Sequence, residues 1–337
     1  MTTRKRLHEL INAFPSTSVL LLGDLVLDRF VLGTPKRISR EAPLIILRYE
    51  GQRDVPGGGA NALANLASLG VRVIPVGVVG DDEPGEALRA ALTERGIDVD
   101  GVLTVPGYRT PTKVRILGGG SSSLKHQVAR YDIEDQLPQG GAWLAELLRV
   151  LESKMGEANT VAISDYGYGT VAQEAIDRLL RTDRRPGWIC ADSRYRISSL
   201  KGIGGATPNL QELERTAGRQ LITDADIVEA SEALRAQLDA RFLLATRGNH
   251  GMTLVEDGRS PVHIPVFGTD EVADVTGAGD TVLAVLTAAL AAGANPEEAA
   301  KMANYGGGVV VMKLGTATVS RDELAAAVEQ DYGRSAT

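Results

Sequence analysis

The chain is almost without cysteine: Cys190 is the only one in 337 residues. That excludes an intrachain disulfide and points to a reducing compartment, and the apolar neighbours in W-I-C-A-D assign the thiol to core packing. Basic runs are scarce as well. None occurs beyond R-K-R at Arg4 to Arg6, and 36 Lys+Arg against 43 Asp+Glu leave a net charge of −7. The composition therefore argues against a nucleic-acid surface, and an anionic substrate would need local basic residues. No long apolar run is present either. The stretch from Val19 to Leu27 is interrupted by Asp24 and followed by Asp28, too short and too charged for a signal peptide or a bilayer span. V-L-L-L-G-D, from Val19 to Asp24, reads as a buried parallel strand ending in a loop, in a cytoplasmic protein with no membrane partner. Metal and nucleophile signatures are missing too. His8, His126, His250 and His263 are far apart with no zinc-ligand spacing, and neither G-x-S-x-G nor the G-x-x-x-x-G-K-S/T phosphate loop occurs. If the chain holds ATP, another architecture does it.

What is present is an ordinary globular composition, 43% hydrophobic and 23% charged, long enough for one α/β domain with a small added element or for two domains. Apolar strand-like runs alternate with helical stretches: Val19 to Leu22, Gly59 to Leu69, Val71 to Val79, Glu83 to Arg95, then Thr160 to Ser164, Val171 to Leu180, Trp188 to Asp192, Leu210 to Thr216, Ile227 to Leu238 and Phe242 to Thr246. This rhythm predicts a central, largely parallel sheet. Two segments, about 30–54 and 102–131, look like strands without intervening helices and predict a small second sheet covering the site as a lid. No linker or repeat divides the chain, so residues 1–330 form one unit with a tail at 331–337.

The most informative stretch is D-V-T-G-A-G-D at Asp274 to Asp280, which opens a helix with no charged residue from Thr281 to Ala292. Glycines at a helix start let unpaired N–H groups approach an anion. Asp280 in that field makes chemical sense as a base beside a transferring phosphoryl group, or as an acidic residue stabilising a buried helix. A second cluster, P-G-G-G-A-N from Pro56, offers backbone N–H groups and Asn61 to a hydroxyl-rich ligand. It also fits a loose dinucleotide fingerprint, for which Asp81 or Asp82 would be the ribose ligand. Asp24, Asp165, Asn209 with Glu212, and T-R-G-N-H-G at Thr246 to Gly251 all fall at strand ends on the same edge. Their structural alternatives are turn caps, a helix N-cap and a tight hairpin loop.

These paired glycine motifs resemble the ribokinase-like (PfkB-type) sugar kinases over about Val19 to Leu324. Within that family G-D-L-V-L-D-R-F, R-I-S-R-E-A-P, A-R-Y-D-I-E-D, S-D-Y-G, T-P-N-L-Q-E and K-L-G-T-A-T-V-S are most similar to the heptose 7-phosphate kinases of the ADP-heptose pathway. The resemblance implies a three-layer α/β sandwich with a β-sheet lid and ATP-dependent phosphorylation of an anomeric hydroxyl. Asp280 would be the base and Gly277, Ala278 and Gly279 the anion hole. Asn209 and Glu212 would organise phosphates and Mg²⁺ through water, and Thr246, Gly248, Gly251 and Asn304 would line the nucleotide pocket. Asp24, Gly57, Gly58, Gly59, Asn61 and Asp165 would hold the sugar, and Asp274 with Thr276 a monovalent cation such as K⁺. Relatives often pair through such lids, so a homodimer is expected.

Departures from the family pattern are Tyr168 in place of the Lys after S-D-Y, Asp192-Ser193-Arg194 in place of D-P-K, and Ala303-Asn304-Tyr305-Gly306-Gly307 in place of A-N-A-A-A. With no H-x-G-H motif, the sequence reads as the kinase without a nucleotidyltransferase. Lys113, Arg115, Lys125 and Arg130 in the lid region are candidates for a distal phosphate, Lys113 and Arg130 first, with Arg194, Arg196 and Lys201 next. The alternatives of another class are a nicotinamide-dependent oxidoreductase and a non-catalytic sugar-binding protein.

Overall fold

The structure is a computed structural model that describes residues 2–120, 125–182, 186–268 and 273–334. Strand β1 (Ser18–Ile38) organises it, because its two halves belong to different sheets. From Ser18 to Asp24 it runs parallel to β3 (Arg72–Gly80), and over Val19 to Gly23 to β7 (Thr160–Asp165) on the other side. Outward from β3 lies β4 (Val102–Val105). Beyond β7 follow β8 (Trp188–Ser193), β9 (Gly205–Ala206), β10 (Phe242–Thr246), β11 (Met252–Glu256) and β12 (Val262–Ile264). Only the β10–β11–β12 edge is antiparallel. From Leu25 onward β1 leaves this sheet and pairs with β2 (Ile45–Gly58) and β5 (Thr112–Gly118), with β6 (His126–Ile133) outermost.

Apolar side chains on both faces of β1 explain why it is central. Val19 and Leu21 enter one core, with α1 (Arg4–Ala13), α2 (Gly59–Ser68), α3 (Glu83–Thr93), α8 (Ala278–Ala291), α9 (Pro296–Val310) and α10 (Arg321–Arg334). Leu20 and Leu22 enter the other, with α4 (Ala142–Met155), α5 (Gln173–Arg181), α6 (Leu210–Ala217) and α7 (Asp224–Leu238). This is the doubly covered parallel sheet expected from the alternating runs.

Three expectations need revision. The strand at Val19 does not end in a loop after Asp24; it belongs to a 21-residue strand that continues to Ile38 in the small sheet. Val102 to Val105, assigned from sequence to the lid, pairs with β3 in the main sheet, so the small sheet's second segment starts at Thr112. The tail assigned to 331–337 is helical as far as Arg334, and residues 335–337 lie outside the described ones. Among the described residues no helix is long and apolar enough to cross a membrane.

Candidate active site

Parallel strands aim their C-terminal ends at one edge, and the small sheet stands over that edge. Between them is a cleft of about 330 Å³ lined by Asp28, Lys113, Arg115 and Arg130 from the small sheet and by Asp165, Tyr166, Asp192, Arg194, Asn209, Glu212 and Gly277 to Asp280, apart from Ala278, from the main body. A second pocket, of about 400 Å³, lies on the other side of the α8 N-terminus. Thr246, Gly248, Gly251 and Asn304 line it together with Phe267 and Val282. Val275 and Gly279 belong to both pockets. The first turn of α8 is thus the partition between a charged cleft and a mostly apolar pocket.

Gly277 caps α8 in a left-handed conformation, φ +79°, and a Cβ there would come within 2.4 Å of Asn61 Nδ2. Only glycine fits. Asn61, in turn, donates to the Gly277 carbonyl at 3.3 Å and to Asp280 Oδ2 at 3.2 Å, while the Tyr166 hydroxyl donates to Asp280 Oδ1 at 2.9 Å. Asp280 is 3% exposed, and burial pushes its carboxyl up to about 6 against the opposing pull of the Asn61 and Tyr166 hydrogen bonds and of Lys113. A carboxylate with that value is ionised at neutral pH and basic enough to take a proton.

Acidic groups collect on the main-sheet side. Asn209 and Glu212 form a capping box on α6, with Glu212 Oε2 accepting from the Asn209 N–H at 2.9 Å and Asn209 Oδ1 from the Glu212 N–H at 2.9 Å. The cap expected as the structural alternative is real, yet both residues also line the cleft. Burial raises the Glu212 carboxyl, and burial together with Glu212 raises that of Asp192. Asp165 reaches the cleft while accepting from the Ser193 hydroxyl at 2.8 Å and lying 3.3 Å from Arg196.

Three basic groups, Lys113, Arg115 and Arg130, come from the small sheet, and Arg194 comes from the main body. Arg115 is matched by Asp28 at 2.7 Å, and Arg130 is held in a fork by Asp132 at 2.7 and 2.6 Å. Lys113 and Arg194 instead lie over the Tyr166 ring, each 4.7 Å from its centroid. Lys125 pairs with Glu50 and does not line the cleft.

Asp24 is where the sequence expectation and the geometry part. Its carboxylate accepts from the backbone N–H groups of Tyr166, Tyr168 and Thr170 at 2.8, 3.0 and 3.0 Å, and it does not line the cleft. Asp28, not singled out from sequence, does line it, accepting from the Thr316 hydroxyl at 2.7 Å as well as from Arg115. Of the P-G-G-G glycines only Gly58 lines the cleft; Gly57 lets the backbone pass Asp28, whose Cγ would lie 2.7 Å from a Cβ there, and Gly59 opens α2. Asp274 Oδ1 accepts from the Thr276 N–H at 2.9 Å and Oδ2 from the Gly315 N–H at 3.1 Å, which staples the loop before α8. Thr276 lines the cleft.

The hairpin reading of T-R-G-N-H-G holds as well: the segment joins antiparallel β10 and β11 while lining the apolar pocket. The dinucleotide alternative fails on topology. The strand that feeds Gly57 to Gly59 is the antiparallel β2, and Asp82 caps α3 and accepts from Thr110 instead of facing that loop.

The chain resembles known proteins over nearly all of this framework. It is 43% identical over 316 residues to the bifunctional protein HldE of Nitrosococcus oceani, covering 92% of this chain and 64% of that protein. With the bifunctional protein HldE of Photobacterium profundum it is 40% identical over 327 residues, covering 95% and 66%. The chain thus spans about two thirds of the length of these relatives. The fold is shared with Escherichia coli phosphofructokinase-2 in complex with substrates and products, at a TM-score of 0.75 with 19% identity over 93% of this chain and 99% of the other. It is also shared with Arabidopsis thaliana ribokinase complexed with ribose and ATP, at a TM-score of 0.70 with 20% identity over 93% and 98%. The family model for pfkB carbohydrate kinases matches residues 18–323, a span that holds both pockets and the helix start between them, and the chain belongs to the pfkB family of carbohydrate kinases.

Proposed function

We propose that the chain transfers the γ-phosphate of ATP to the anomeric 1-hydroxyl of D-glycero-D-manno-heptose 7-phosphate, giving the 1,7-bisphosphate. The observation that carries this reading is the partition: a buried carboxylate and the N–H groups of one helix turn stand between an apolar pocket suited to a base and a cleft lined by Lys113, Arg130 and Arg194. The similarity to the HldE proteins supports the choice of sugar. In this reading the adenosine lies against Phe267 and Val282, and the Gly277 to Gly279 turn binds the transferring phosphoryl oxygens. Asp280 accepts the hydroxyl proton, and Lys113, Arg130 and Arg194 bind the distal phosphate. Asp28, Asn61, Gly58 and Asp165 surround the sugar.

Mg²⁺ fits the acidic side. Glu212 is buried and Asp192 half-buried beside it at the cleft, a repulsion that raises the Asp192 carboxyl and that a divalent cation would relieve. Among the described residues no group of three or more His, Cys, Asp or Glu side chains could cage an ion directly, as suits a metal held through water and phosphate. When bound it would neutralise charge on the phosphates. A monovalent cation beside Asp274 and Thr276 belongs to the same proposal, with K⁺ stimulation of activity over a tetramethylammonium control as its check. We place the reaction in the cytoplasm, where ATP is supplied and where Cys190, buried and unpaired, stays reduced. A product carrying the new phosphate at the anomeric carbon, read by ³¹P NMR, supports the assignment; phosphate at any other carbon refutes it.

Two further outcomes follow. Because a protonated Asp280 cannot accept the hydroxyl proton, kcat/KM is expected to fall as pH drops through about 6. A rate flat from pH 7.5 to pH 5 would remove Asp280 from the base role. The homodimer is expected through the small sheet, where Ile38, Leu44, Ile45, Tyr49, Val128 and Tyr131 are all exposed. Val114, on β5 of the same sheet, is buried and stands outside that surface. Light scattering at micromolar concentration should give twice the chain mass, and a strictly monomeric mass would count against the lid interface.

A further inference from the structure

We propose that Tyr166 is a positioning residue that joins the base to the basic groups of the cleft, its hydroxyl fixing the Asp280 carboxylate and its ring serving as the common platform for Lys113 and Arg194. The inference rests on the reading of Asp280 as base and of the basic groups as a phosphate site.

The hydroxyl end is set by geometry. Tyr166 holds one oxygen of Asp280 and Asn61 the other, at 2.9 and 3.2 Å, so donors from two different elements restrain the carboxylate against rotation. The ring end is set by electrostatics. Lys113 is only 7% exposed, and among the described residues neither it nor Arg194 forms an ion pair with a carboxylate, whereas Arg115 and Arg130 each do. Both lie in cation–π range of the one ring. Lys113, buried, and Arg194, exposed, lie over one aromatic ring with no carboxylate paired to either among the described residues, so both are available to an anion in the cleft. Tyr166 itself is anchored from behind. Its N–H donates to Asp24 at 2.8 Å, and a Cβ on Gly58 would lie 3.2 Å from its ring. Asp24, which does not line the cleft, thereby acts on it through Tyr166.

The consequence is that phosphate binding and base orientation pass through one side chain. Sugar phosphate bound to Lys113 and Arg194 presses on the same ring whose hydroxyl aims the base, so remote binding energy is used for orientation.

The test is steady-state kinetics of the purified full chain with Mg-ATP, on heptose 7-phosphate and on the unphosphorylated heptose. Tyr166→Phe keeps the ring and removes the hydroxyl; it should lower kcat about tenfold or more and leave KM for the sugar phosphate within about twofold. Tyr166→Leu removes both and should add a rise of about tenfold in that KM, with KM for ATP unchanged. Tyr166→Met replaces the leucine variant if that one does not fold. A phenylalanine variant with wild-type kcat overturns the hydroxyl's part. A leucine or methionine variant with the phenylalanine variant's KM overturns the ring's part. If the wild-type chain uses both sugars with equal KM, the distal-phosphate reading has failed instead, and the kcat of Tyr166→Phe on the unphosphorylated sugar still decides the hydroxyl's role.

Discussion

Replacing Asp280 by Asn is expected to lower kcat by at least about 100-fold, the scale of a lost general base, with little change in KM for ATP. The amide keeps the size of the side chain and can keep one of the hydrogen bonds from Asn61 and Tyr166, so the fold survives. It should in fact gain stability at neutral pH. Burial raises the folded-state value of Asp280 from 3.8 to about 6, so the unfolded chain ionises first as pH rises. The ionised carboxylate is therefore a penalty absent below the unfolded value and complete above about 6, on the order of 3 kcal/mol. A higher Tm for Asp280→Asn than for the parent at pH 7.5, together with the loss of turnover, would mark a site that gives up stability for function. Near wild-type turnover would reduce Asp280 to a residue that stabilises the start of α8.

The second large effect concerns the basic groups of the cleft. Lys113→Ala and Arg130→Ala are each expected to raise KM for the sugar phosphate about tenfold or more while KM for ATP hardly changes. Charge-assisted contacts to phosphate are worth roughly 1.5 to 3 kcal/mol, and about 1.4 kcal/mol is a factor of ten. Lys113 is buried with no carboxylate paired to it, so its truncation leaves no orphaned partner and reports the ligand directly. Arg130→Ala also frees Asp132, whose carboxylate the fork holds below its usual range, so Arg130→Lys serves as its control. An unchanged KM in both alanine variants would place the distal phosphate away from Lys113 and Arg130. Of the other cations weighed from sequence, Lys125 is paired with Glu50, and Arg196 packs against Asp165 and the Val171 carbonyl.

The parallel sheet was legible because buried strands leave unbroken apolar runs, and Phe242–Thr246 was read to the residue. The anion cradle at Asp280 was legible as a candidate because glycines there precede a helix with no charge from Thr281 to Ala292; that it divides two pockets was not. The passage of β1 from one sheet to the other was not. Asp24 and Asp28 break its apolar run, and only the fold shows that they do so where the strand crosses between sheets. For the same reason sequence could not say which of the two faces the ligand. Their spacing gives both the same parity, and what separates them is the turn at 166–170, far away in sequence, whose N–H groups occupy Asp24. The amphipathic α1 was obscured by its resemblance to the basic start of a signal peptide. Arg194 sat in plain view in D-S-R, but the pairing of its guanidinium with the ring of Tyr166, 28 positions earlier, is tertiary information. Gly307, noted only as a departure, lines the apolar pocket beside Asn304.

The central claim, ATP-dependent phosphorylation of a heptose 7-phosphate, is tested most directly by a phosphoryl-transfer screen of the purified chain with Mg-ATP. The panel should pair phosphorylated and unphosphorylated heptoses with fructose 6-phosphate, ribose and a nucleoside. ADP release is expected to be fastest, at the lowest sugar concentration, with heptose 7-phosphate, and the unphosphorylated heptose should show a raised KM. Turnover confined to fructose 6-phosphate or a nucleoside would contradict the substrate assignment.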